Sequence, residues 1–96
     1  MAVYMIFIRE EPVRDAEALA TYQGMNAKNS GEFKIKPLIV YGATEAVEGT
    51  APDGIVMLEF GTVEEAKAFY HSPAYQSALP YRQKAADYRA LIVQGL

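Results

Sequence analysis

Apolar positions cluster at the head of the chain. Ala2 to Ile8 is a run rich in β-branched and aromatic residues, closed by Arg9, Glu10 and Glu11, and it predicts a buried strand. Pro12 suits the first turn of a helix, where its missing N–H does no harm. From Val13 to about Ala27 the apolar residues Val13, Ala16, Leu19, Ala20 and Ala27 recur at helical spacing, with Arg14, Asp15 and Glu17 at the start and Asn29, Ser30 and Gly31 as the stop. Phe33 to Tyr41 alternates as a second strand, in which Pro37 cannot donate to a ladder and points to an edge or a bulge. Ala43 to Gly54, rich in Gly, Thr, Pro and Asp, reads as a hairpin connection ending in a Pro52-Asp53-Gly54 turn.

Ile55 to Phe60 is apolar except for Glu59 and predicts a third strand, broken by Gly61. Thr62 and Glu65 stand at the spacing of a capping box, which starts a helix running to Tyr70. Ser72 and Pro73 repeat the cap and first-turn chemistry, so a second helical piece is expected over about Pro73 to Ala86, with a break near Pro80. Tyr88 to Gln94 closes as the last strand. This order predicts an α+β fold of ferredoxin-like βαββαβ plan, a four-stranded antiparallel sheet with two helices on one face. A chain of 96 residues has room for one core, so a single domain over 1–96 is expected.

An antiparallel sheet with one wet face should alternate apolar and polar side chains. Here Val3, Met5 and Phe7 oppose Tyr4, Ile6 and Ile8, Ile55 and Met57 oppose Val56 and Leu58, and Ile92 opposes Leu91 and Val93. Both faces are apolar, and two helices cover one. Roughly six to eight large side chains would face water, at about 1.5–3 kcal/mol for each full burial, a loss comparable to the stability of a small domain. A second copy packed sheet to sheet removes that loss, so a homodimer is expected.

Composition narrows the partners. Hydrophobic residues make up 51% of the chain, and 12 acidic residues against 9 basic ones leave a formal charge of −3 with no Lys/Arg run to follow a phosphate backbone, which argues against nucleic acid. There is no cysteine, which removes disulfides, thiolate metal sites and thiol nucleophiles and suits a cytoplasmic setting. The apolar start lacks a basic leader, which argues against a signal peptide or a membrane span. Gly42, Gly49 and Gly54 lack the strand-to-helix context of a phosphate-cradling loop.

Leu58-Glu59-Phe60, Ala66, the stretch Phe69-Tyr70-His71-Ser72-Pro73-Ala74-Tyr75-Gln76, Arg82 and a last strand closing at Gly95 together resemble the DUF1330 family of dimeric α/β-barrel proteins. The first strand, Tyr22 and the Glu48-Gly49 pair also fit. Phe69 stands where the family usually has Trp, His71 where it has Asp or Asn, and Gly31 alone where it has Gly-Gly. The resemblance implies the dimeric barrel fold. Its wider superfamily holds cofactor-independent monooxygenases, polyketide cyclases, haem-degrading enzymes and stress-response proteins, among which fold analogy does not choose.

His71 is the only histidine, so a His-rich metal site is ruled out, and it is either a catalytic base, as the superfamily cyclases suggest, or a cation at a helix end. Glu59, the second candidate catalytic residue and the acid in an apolar strand, requires a partner, for which Arg82 and Arg89 are the candidates. The two readings are an internal salt bridge and, with Arg82, a pair of polar anchors in a pocket, where the guanidinium would hold a carboxylate or enolate in two parallel bonds. Of the seven tyrosines, Tyr4, Tyr22, Tyr70 and Tyr75 are expected between sheet and helices, and Tyr4, Tyr22 and Tyr75 join Arg82 as candidate substrate-binding residues. No metal or cofactor is expected. The resulting expectation is a homodimer with a small pocket in each subunit, either a monooxygenase- or cyclase-like enzyme on an aromatic or ketide-like metabolite, or a non-catalytic small-molecule-binding or stress-associated dimer. Finding Glu59, Arg82 and His71 on separate surfaces would favour the second.

Overall fold

Four extended segments pair as one antiparallel sheet in the computed structural model, which describes residues 2–29 and 33–96. The elements in chain order are β1 (Val3–Arg9), α1 (Ala16–Asn29), β2 (Lys36–Val40), β3 (Gly54–Phe60), α2 (Val63–His71), α3 (Pro73–Ala85) and β4 (Tyr88–Gln94). The strand order β2-β3-β1-β4 puts the first and third strands in the middle, as the βαββαβ plan requires. β2 is an edge strand, and its register slips between Pro37 and Ile39, so Pro37 marks both an edge and a bulge.

The register assigns every side chain to a face. Val3 pairs with Phe60, Met5 with Leu58 and Phe7 with Val56, and this face carries the helices. Val3, Met5, Phe7 and Phe60 are buried there against Phe69, Tyr75 and Leu79. Ala66 and Ala78 are fully buried, and their small side chains let α2 and α3 lie close to the strands. Tyr4 pairs with Glu59 and Val93, and Ile6 with Met57 and Leu91, on the opposite face. Among the described residues no element covers that face: Ile39 is 37% exposed, and Leu91 and Val93 are each 42% exposed. The Cα extents of 34 × 31 × 16 Å leave room along the short axis for one sheet and one helical layer.

Local chemistry sets the helix ends. Thr62 accepts from the Glu65 N–H at 3.0 Å, and the Glu65 carboxylate turns back to the Gly61 N–H at 3.3 Å. Ser72 accepts from the Tyr75 N–H at 3.2 Å and donates to the Phe69 carbonyl at 2.7 Å, so one hydroxyl starts α3 and finishes α2. The expected break near Pro80 does not occur: α3 runs through it. A proline inside a helix costs about 3 kcal/mol, which the buried stripe of Tyr75, Ala78, Leu79, Arg82 and Ala85 offsets.

α1 departs from the sequence pattern in two ways. Asp15 caps it, accepting from the Ala18 N–H at 2.9 Å, so the helix begins at Ala16 and Pro12 lies before it rather than in its first turn. Its inner face is Ala18 and Tyr22, with Leu19, Met25 and Asn26 half-buried, whereas Ala16, Ala20 and Ala27 are exposed. The expected stop at Ser30 and Gly31 lies outside the described residues. No helix among the described residues is long and apolar enough to cross a membrane.

Candidate functional site

Because α1 buries little more than Ala18 and Tyr22, it sits against α3 and leaves a gap over the β2–β3 half of the sheet. The gap is a cavity of about 190 Å³. Phe7, Val56 and Leu58 form its floor, Tyr22, Gln23 and Asn26 its α1 wall, and Pro37, Val40 and Tyr41 its β2 rim. Phe69, Arg82 and Tyr88 complete the lining. A second pocket of about 330 Å³ shares Tyr22, Gln23, Asn26, Pro37, Leu58 and Phe69 with it and opens beside Ile35.

A buried polar group is built around Arg82. Arg82 is only 5% exposed. Its Nη1 donates to the Tyr75 hydroxyl at 3.2 Å, and that hydroxyl is 2.9 Å from the hydroxyl of Tyr22. The guanidinium carbon lies 5.2 Å from the centre of the Phe7 ring and 5.0 Å from that of Tyr88, within cation–π range. Arg82 has no salt bridge among the described residues, and its Nε is buried without a partner. Burial pushes the hydroxyl of Tyr22 well above its ordinary range. Burial also raises that of Tyr75, although Arg82 pulls the other way. Both phenols are therefore neutral at physiological pH and leave the guanidinium charge unanswered.

The rim has its own hydrogen-bonded group. Tyr41 has φ 55°, a left-handed backbone that costs a non-glycine residue about 1 kcal/mol or more. In an extended strand Tyr41 would point away from the face of Val40; this turn puts both side chains on the cavity. There the Tyr41 hydroxyl lies 2.7 Å from that of Tyr88, and Arg9 stacks 4.5 Å over the Tyr41 ring while its Nε binds Asp53 at 2.7 Å. A Cβ at Gly54 would lie 2.6 Å from the Tyr41 ring, so the arrangement requires glycine there.

Of the residues singled out by sequence, Tyr22, Tyr75 and Arg82 are joined by hydrogen bonds, and Tyr22 and Arg82 line the cavity. Tyr4 and Glu59 do not: they face each other across β1 and β3 on the uncovered side of the sheet, beside Lys36. The expected pairing of Glu59 with Arg82 is therefore corrected, because the sheet lies between them. Arg89 is engaged by Glu10 instead. His71 is exposed at the last turn of α2, its ring 5.2 Å from that of Tyr70, and lines none of the pockets described. Sequence reasoning missed Tyr41, Tyr88, Gln23 and Asn26. The i, i+1, i+4 spacing of Tyr22, Gln23 and Asn26 could have pointed to the last two. Among the described residues, no three His, Asp or Glu side chains gather where they could hold a metal ion.

The strand order and the helical layer define a ferredoxin-like α+β domain with a cavity between its layers. Residues 2–96 match the family described as a domain of unknown function, DUF1330, and the chain belongs to that family. Solved structures share the fold. A protein of unknown function from Rhodopseudomonas palustris is 19% identical with a TM-score of 0.78, over 99% of this chain and 82% of that one. An ethyl tert-butyl ether d (EthD) family protein from Bacillus halodurans is 16% identical with a TM-score of 0.67, over the whole of both chains. A dimeric ferredoxin-like protein of unknown function from Thermobifida fusca is 13% identical with a TM-score of 0.64, over 97% of this chain and 90% of that one. No curated protein matches the chain.

Proposed function

We propose that this protein is a homodimer in which each subunit holds one small molecule in the cavity between α1 and the β2–β3 half of the sheet, as a binding module rather than a catalyst. The observation that carries the reading is the buried Arg82–Tyr75–Tyr22 group at a cavity floored by Phe7, Val56 and Leu58, since a few polar groups in a largely apolar concavity are what orient a bound ligand. The separation of Glu59, His71 and Arg82 onto different surfaces supports binding over proton-transfer catalysis, which needs its acid and base within reach of one reacting atom. The dimer is supported by the apolar face of Ile6, Ile39, Met57, Leu91 and Val93, and by structural neighbours described as dimeric.

Asn26 is half-buried on the α1 wall, so Asn26→Trp fills the cavity with little disturbance of the core. Single-ring aromatic compounds, charged and neutral, are screened by thermal shift against both proteins, with the mass measured by light scattering. The expected result is a dimer whose melting point rises with some of these compounds in the wild type and not in Asn26→Trp. A monomer, or shifts equal in the two proteins, would sink the reading.

A further inference from the structure

From the state of Arg82, we infer that the ligand is a small monoanion, a carboxylate carried on a flat apolar body, with its charged end against the guanidinium. This deepens the proposed function and rests on it. A guanidinium out of water needs an opposite charge or a full set of acceptors. Arg82 has neither: its one hydrogen bond to protein among the described residues is to a phenol, its Nε is unpartnered, and rings occupy two sides. The planar fork matches a carboxylate, which accepts two parallel N–H bonds, and Arg82 lines the cavity.

Charge and size limit the ligand further. Among the described residues no second cation lines the cavity, and its other polar groups, the amides of Gln23 and Asn26 and the tyrosine hydroxyls, are neutral, so a dianion would leave one charge without a counter-charge. A volume of about 190 Å³ is that of roughly six waters, at about 30 Å³ each. One ring and one carboxylate fit that space, and inorganic phosphate or sulfate would leave the apolar floor unfilled. The Tyr22 hydroxyl lines the cavity and is held neutral by burial, so while it accepts from Tyr75 its own proton can be donated to a carboxylate oxygen.

Isothermal titration of the wild-type protein with benzoate, its neutral isostere benzamide and the dianion phthalate tests the inference without altering the fold. The expected result is that benzoate binds at least about tenfold tighter than benzamide and phthalate binds no better than benzamide. Arg82→Lys, which keeps the charge and loses the fork, should weaken benzoate by about tenfold or more and leave benzamide within about twofold. Benzoate and benzamide binding equally would overturn the monoanion while leaving the pocket reading intact. Phthalate displacing benzoate at lower concentration would likewise overturn the monoanion and leave the pocket reading intact, and none of the three binding would overturn both.

Discussion

Tyr75→Phe deletes one oxygen and removes the hub of the buried polar group. That hydroxyl accepts from Arg82 at 3.2 Å and shares a bond with Tyr22 at 2.9 Å, and both partners are nine-tenths buried or more. A neutral hydrogen bond contributes about 1 kcal/mol, and one to a charged group about 1.5–3 kcal/mol. The variant should therefore lose about 2.5–4 kcal/mol. Tyr22→Phe breaks only the neutral bond and leaves Arg82 on Tyr75, so it should lose about 1 kcal/mol. Both changes remove the same Tyr–Tyr bond, so the double variant should fall short of the sum by about 1 kcal/mol. Urea unfolding followed by circular dichroism gives these differences, provided protein concentration is held fixed, because association adds to apparent stability. The reasoning fails if Tyr75→Phe lies within about 0.5 kcal/mol of the wild type, or if Tyr22→Phe costs more than Tyr75→Phe.

Two further outcomes are expected. Gly54→Ala drives a methyl group into the Tyr41 ring and should cost about 1–3 kcal/mol, with weaker benzoate binding as the rim opens; unchanged unfolding and titration curves would contradict that packing. Tyr22 and Tyr75 hold their protons more tightly folded than unfolded, so their contribution is intact below about pH 10. It declines as pH rises past the unfolded value toward the folded ones, at up to about 1.4 kcal/mol per pH unit for each. Absorbance near 295 nm should show these two phenols ionising only with unfolding.

The strands and the α2–α3 caps were legible because their signals are local: β-branched runs end at charges, and Thr62, Ser72 and Pro73 stand where caps need them. The inner face of α1 was not legible, because Ala16, Ala20 and Ala27 fit a helical stripe yet bury too little area to choose its orientation. The same limit governs the site. Tyr75 and Arg82 lie on α3, whose sheet-facing side is set by spacing. Tyr4 and Glu59 lie on strands apolar on both faces, where the face of a residue follows from register with its neighbours and not from its own surroundings in sequence. Tyr41 reaches the cavity only through a left-handed backbone that no residue pattern announces.

The Ser72 hydroxyl joins two helices through a single oxygen, with the Phe69 carbonyl on one side and the Tyr75 N–H on the other. Phe69 is a wall of the cavity and Tyr75 holds its cation. The hydroxyl is thus a pivot between the greasy and the charged halves of the chamber, so a tilt of α2 against the sheet is handed directly to the guanidinium.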